Sequence, residues 1–267
     1  MCTCGPTRPP APHSRLASLA SVRLPDGAVG EPDDPQLHSR LDRVARRVSE
    51  AVSDAGRPAD GVRLLLATKT IEPARIRQAF AAGFTLIGEN RAQEVVAKAE
   101  ELAGVHHECH FIGHLQANKV NQVLPHVSCV QTLDSAALAH RLDTRAAALG
   151  RRLDVLIQVN VSGEPSKSGV AVAEIPALLE QAANCRHLRI RGYMTIGLNS
   201  DDRAAVRAGY RALTTFRDDA LQCGLVGAEQ ATELSMGMSG DFQDAIAEGA
   251  TIVRVGSAVF GSRPLPR

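Results

Sequence analysis

Four lysines stand in a chain whose other cations are arginines: Lys69, Lys98, Lys119 and Lys167. Lys69 closely follows the apolar run Leu64–Ala67 and precedes a helix start at Glu72-Pro73. If that run is a strand whose end opens into an apolar mouth, desolvation lowers the pKa of the amine. A neutral amine is the nucleophile that forms an imine with an aldehyde cofactor. The alternative is an exposed loop lysine. The remaining three are weaker candidates: Lys98 falls mid-helix, Lys119 just after a helix start, and Lys167 in a polar loop.

Near the other end, TIVRVGSAVFG puts Arg254 inside an apolar run and follows it with Gly256 and Ser257. A glycine lets backbone approach an anion, and Ser257 offers a hydroxyl. Upstream, in Ser235–Asp241, Ser239 sits where a helix N-cap would fall, so its hydroxyl could bind a further phosphate oxygen or simply cap a helix. The stretch His106–His114 suggests a metal at first sight. However, a strand over 110–112 would send its donors to different faces, so His114 is read as a hydrogen-bonding group at a strand end. The loop Ser162–Gly169 lacks the spacing of a nucleotide-binding loop, and Cys2-x-Cys4 is too sparse for a metal site.

These groups need a scaffold. Leu41, Val44, Val48 and Val52 recur at helical spacing before Gly56-Arg57-Pro58 ends the helix. Apolar runs then follow at 62–67, 84–87, 110–112, 127–131, 154–159, 189–193, 231–234 and 251–255. Helical segments separate them at 72–82, 90–103, 115–122, 134–148, 171–183, 201–222 and 239–248. Eight strands alternating with helices predict a single (β/α)8 TIM barrel over residues 36–267, with an open doubly wound sheet as the alternative. In a barrel the working groups follow the strands, at the C-terminal face. Those positions hold Thr68-Lys69, Gly88–Asn90, Gly113-His114, Thr132–Asp134, Asn160–Ser162, Met194-Thr195, Ser235-Met236 and Gly256-Ser257.

Composition narrows the function. A net charge of +1 gives no electrostatic case for nucleic acid or an anionic membrane, and 3% aromatic residues offer few stacking platforms. No apolar run reaches the roughly 18 residues of a membrane span. Six scattered cysteines suggest no disulfide framework and fit a reducing cytoplasm. Residues 1–35, rich in Pro, Ser, Arg and Ala, predict a disordered tail.

Taken in order, LLLATKT, IGENRAQE, HFIGHLQANK, VLIQVNVSGEPSKSG, IRGYMTI and LSMGMSGDFQDAIAEGATIVRVGSAVFGSR resemble the pyridoxal phosphate homeostasis protein family (the YggS/PROSC type) from about residue 37 to 263. The resemblance implies the barrel of the alanine racemase N-terminal domain and pyridoxal 5′-phosphate (PLP) as cofactor. It places the family's Schiff-base lysine on Lys69 and the phosphate-binding positions on Ser239, Gly256 and Ser257. The arginine facing the pyridine nitrogen falls on Arg254, and the pocket asparagine on Asn90. Arg91 stands where the family often has an aromatic residue, and Ser257 replaces a more usual threonine while keeping the hydroxyl.

The resemblance further implies a non-catalytic carrier in vitamin B6 homeostasis. Its partners would be PLP and PLP-requiring apoenzymes, with no nucleic acid or membrane, and a monomer is expected. The rival is a PLP-dependent amino-acid racemase. Only Gly261–Arg267 follows the expected barrel, so the second, β-rich domain that alanine racemase needs is not expected here. Tyr193 and Tyr210 are poorly placed to serve as a second acid/base group.

Overall fold

Asp34 opens the first helix, α1 (Pro35–Asp54). Its carboxylate accepts from the N–H groups of Gln36 and Leu37, and Pro35 spends no donor at the first turn. The computed structural model describes residues 34–164 and 167–261; of the tail expected over 1–35, residues 1–33 lie outside the described residues, while Asp34 and Pro35 belong to the start of α1. One face of α1 buries Leu41, Val44, Val48 and Val52, the stripe anticipated from their spacing, together with Leu37 and Ala51.

Strands and helices then alternate: β1 (Arg63–Ala67), α2 (Pro73–Ala81), β2 (Leu86–Glu89), α3 (Ala92–Leu102), β3 (Glu108–Phe111), α4 (Val120–Val123, between two 3₁₀ turns), β4 (Cys129–Leu133), α5 (Ala136–Ala148), β5 (Leu153–Gln158), α6 (Ile175–Ala183), β6 (Leu188–Met194), α7 (Arg203–Gln222), β7 (Glu233–Ser235), α8 (Phe242–Ala247), β8 (Ile252–Val255) and α9 (Ser257–Phe260). All eight strands pair in parallel and in chain order, and β8 returns to β1 with Leu65 opposite Arg254, closing the barrel. The fold is therefore the (β/α)8 barrel, not the open sheet.

Several strands run further than their apolar residues suggested. Gly88 and Glu89 belong to β2, Thr132 to β4, and Met194 and Ser235 close β6 and β7. Polar residues can continue these strands because each finds a partner: Glu89 meets Lys98, and the Thr132 hydroxyl donates to Gly113 O at 2.7 Å. The α9 turn was not anticipated.

Most of the apolar core lies between the sheet and the helices, while two small clusters, Leu65–Leu86–Ile252 and Cys129–Leu156–Met194, lie apart from it. Between β3, β4, β7 and β8 runs a chain of polar side chains. Arg254 Nη1 donates to Ser235 Oγ (2.9 Å), Ser235 Oγ donates to Gln131 Oε1 (2.6 Å), and Gln131 Nε2 lies 2.8 Å from His110 Nδ1. β4 and β7 are not neighbours, so the Gln131–Ser235 contact crosses the lumen. Barrel interiors are usually filled by branched apolar residues, and burying these four is tolerable because each has a partner.

Candidate functional site at the barrel mouth

The chain leaves β1 through a tight turn. Thr68 N–H donates to Gly88 O (3.0 Å), and Ile71 N–H donates back to Thr68 O (3.0 Å), leaving Lys69 and Thr70 at the turn's centre. Thr70 has φ of 63°, the one non-glycine among the described residues with positive φ. For a β-branched residue this is a strained conformation costing about 1–3 kcal/mol, which persists only where the surroundings fix it. Glu94 does so from α3, its carboxylate accepting the Thr70 N–H at 2.6 Å. Lys69, half-buried, thus starts from a defined backbone position.

On the next strand round the barrel, Arg254 is 5% exposed. Its guanidinium donates to Ser235 Oγ (2.9 Å) and to Thr195 O (2.8 Å), both neutral oxygens. Burial pulls its pKa down to about 10, so it stays charged at neutral pH. Beyond β8, Gly256 N–H donates to Ser239 Oγ at 3.4 Å, joining the loops after β7 and β8. Ser239 therefore does not cap α8, one of the two roles its position allowed. Asp241 occupies that position, its carboxylate accepting the Met238 N–H (2.6 Å) and the Tyr210 hydroxyl (2.7 Å).

Lys69, Asn90, Ser239, Arg254, Gly256 and Ser257 all line one cleft of about 440 Å³ at this mouth. Its walls also include Ile71, Ile112, Met194, Ile196, Met238 and Phe260. An apolar cleft of a few hundred Å³ with a few convergent polar groups is the usual form of a small-molecule site. A side chain at 256 would place its Cβ 3.1 Å from Ala67 O, so glycine lets the end of β8 lie close against the end of β1. Asn90 Oδ1 is buried without a hydrogen-bond partner, an acceptor that a bound ligand could satisfy. These residues fit an aldehyde-bearing, phosphorylated ring such as PLP.

Other expected groups lie elsewhere. The His114 side chain is largely exposed, 3.9 Å from Asp134, and lines a neighbouring pocket with Arg91. Lys167 donates to Glu164 and to Gly197 O. Neither tyrosine lines the cleft: Tyr193 is buried against Phe216, and Tyr210 is tied to Asp241. Lys98, set aside as mid-helix, lies outside the cleft but is nearly buried behind Lys69. It donates to Thr68 O (2.8 Å), Glu89 Oε1 (2.8 Å) and Glu94 Oε2 (3.1 Å). The i,i+4 spacing of Glu94 and Lys98 was the available signal for that contact. The Gln131–Ser235–Arg254 chain left only a weaker trace, polar residues in otherwise apolar strands.

Residues 40–264 match the family described as alanine racemase, N-terminal domain. The pyridoxal phosphate homeostasis protein of Pseudomonas aeruginosa is 43% identical over 227 residues, covering 85% of this chain and 96% of that one. Among solved structures, PipY of Synechococcus elongatus with PLP bound aligns at a TM-score of 0.72 and 37% identity, covering 82% of this chain and all of that one. An alanine racemase of Clostridium difficile aligns at 0.66 but only 11% identity, covering 82% of this chain and 60% of its own, which speaks to the fold alone. With a match this long, in order and nearly end to end in its relatives, the chain belongs to the pyridoxal phosphate homeostasis protein family, built on the barrel of the alanine racemase N-terminal domain.

Proposed function

We propose that this protein binds PLP in the cleft at its barrel mouth, holds it through Lys69, and takes part in PLP homeostasis as a carrier rather than a conventional enzyme. The observation that carries this reading is the meeting of an amine, a buried cation and two small-residue loops in a single cleft. When bound, the cofactor supplies an aldehyde that reacts reversibly with an amine. Lys69 provides that amine. Ser239, Gly256 and Ser257 receive the phosphate with hydroxyl and backbone N–H donors. Arg254 stays protonated and presents its donors to the ring nitrogen, so it withholds a proton from that atom. A ring so held is a poor electron sink, which disfavours carbanion chemistry. Ile112, Ile196 and Met238 shield the amine from water, and Asn90 offers its unpartnered oxygen to the ring's polar edge.

A racemase must remove an α-proton from one face and return one to the other, which takes two placed groups. Lys69 could serve one face, and neither tyrosine reaches the cleft for the other. The test is α-proton exchange of alanine and serine into deuterated water with saturating cofactor. Exchange far below about 1 s⁻¹, the low end of ordinary enzyme turnover, is expected. In parallel, a cofactor-free aminotransferase mixed with the loaded protein should regain activity as this protein's cofactor absorbance declines. Exchange at enzymatic rates would overturn the carrier reading.

We further propose that the PLP-binding domain is the barrel together with α1, acting as a cytoplasmic monomer. Asp34 belongs to this domain, because its carboxylate caps α1 and pairs with Arg75 at 3.2 Å. Among the described residues no helix is long and apolar enough to cross a membrane.

A further inference from the structure

Behind the Lys69 turn, between the sheet and α3, three charged side chains converge. Lys98 spends its three ammonium protons on Thr68 O (2.8 Å), Glu89 Oε1 (2.8 Å) and Glu94 Oε2 (3.1 Å). Glu89 Oε1 also accepts the Thr68 hydroxyl at 2.6 Å, and Glu94 Oε2 also accepts the Thr70 N–H at 2.6 Å. Both neighbours of Lys69 are therefore tied to one cluster, Thr68 by its hydroxyl and carbonyl and Thr70 by its amide. We infer that Lys98, held between Glu89 and Glu94, is a positioning residue for Lys69: it fixes the turn from which the reactive amine reaches the cleft. The inference rests on the function proposed above.

Two observations favour this over a purely structural anchor for α3. A buried ion cluster is costly to desolvate, and apolar side chains such as Val95 and Leu102 already pack the same helix against the barrel. The cluster also grips the one strained non-glycine turn residue among the described ones, at the point where a relaxed turn would let the Lys69 backbone shift. Attachment requires that shift to be absent. The Lys69 amine gives two protons to the departing carbonyl oxygen, which leaves as water, and a C=N bond replaces the C=O. That reaction depends on the angle and distance at which Nζ meets the aldehyde carbon, whereas binding of the ring and phosphate does not.

The experiment compares the full-length wild type with Lys98→Met and Glu94→Ala. Two quantities are measured in each: the rate of covalent attachment after mixing with PLP, quenched by borohydride, and the affinity for pyridoxamine 5′-phosphate, which carries the ring and phosphate but no aldehyde. Lys98→Met should slow attachment by about 10- to 100-fold, the usual cost of a misplaced reacting group, and leave pyridoxamine 5′-phosphate affinity at the wild-type value. Glu94 is partly exposed, so Glu94→Ala should keep the fold even if Lys98→Met does not, and should slow attachment in the same direction. Wild-type attachment rates in both variants would overturn the inference, as would equal losses for the two ligands. If the wild type is not labelled at Lys69 at all, the proposed function falls and this inference falls with it. A labelled wild type with unaffected variants removes this inference alone.

Discussion

The two ends of the barrel use their charges differently. At the foot, where the strands begin, cations and carboxylates face each other side by side: Arg63 with Glu108 at 2.6 Å and Arg189 with Asp154 at 2.6 Å. At the mouth, Arg254 is more deeply buried than any of these and donates only to neutral oxygens. Among the described residues it forms no ion pair with a carboxylate. The foot is arranged for stability. The mouth carries a buried cation that the apo protein would fold better without, which is expected where a ligand, not the protein, supplies the complementary group. The Arg254–Ser235–Gln131–His110 chain runs down the lumen from the mouth, and His110 Nε2 lies 3.6 Å from Glu108 at the foot.

Substitutions at each end should therefore separate binding from stability. The largest effect on binding is expected at the mouth. Arg254→Met should weaken PLP binding by about 10- to 100-fold, the loss of one charge-assisted hydrogen bond, while the apo protein loses little melting temperature, because removing a buried cation offsets the cost of leaving Thr195 O and Ser235 Oγ without its donors. Titration by fluorescence and calorimetric melting check the two halves separately, and a large fall in apo melting temperature would erase the contrast. Next, Ser257→Ala should cost about 10-fold in PLP affinity and leave pyridoxal, which lacks the phosphate, almost unaffected. Equal losses for both ligands would remove Ser257 from the phosphate site.

The foot should show the opposite pattern. His110 and then Arg63 hold the Glu108 carboxyl down to about 2 from an ordinary 4.5. A carboxylate with a lowered folded-state pKa contributes stability that is present above its unfolded value and lost as pH falls through its folded one. The wild type should thus lose melting temperature between pH 4.5 and about 2 more steeply than Glu108→Gln, with identical PLP affinity at neutral pH. Parallel curves would mean that the foot pair contributes nothing. The smallest effect belongs to Asp34→Ala. Losing this cap should cost about 1 kcal/mol, or roughly 2–4 °C in melting temperature, with no change in PLP affinity.

How much of this was legible in the sequence follows from what each feature depends on. The barrel could be read because apolar runs and helical stripes report burial directly, and α1 shows it most clearly, all four residues of its stripe being buried. Strand ends were read too short at Glu89 and Ser235, polar residues that continue their strands, because their partners are not visible in the local pattern. The convergence of Lys69 and Arg254, 185 residues apart, could be anticipated from barrel closure and the family resemblance, and the register places β8 beside β1. The role of Lys98 could not. A lysine inside a helix looks solvated unless it is known that its helix lies over the β1 turn, and that is a property of packing. Ser239 shows the converse: it fits a cap by local pattern, but Asp241 takes that position and its hydroxyl turns to Gly256.

The central claim is that Lys69 holds the cofactor, and peptide mapping after reduction tests it most directly. Purified protein saturated with PLP is treated with borohydride, digested and analysed by mass spectrometry, alongside Lys69→Ala. The account predicts that the reduced pyridoxyl group lies on the peptide containing Lys69, that Lys98, Lys119 and Lys167 are unlabelled, and that Lys69→Ala loses both the label and the long-wavelength absorption of the bound cofactor. A label on another lysine, or an absorption band that survives in Lys69→Ala, would contradict it.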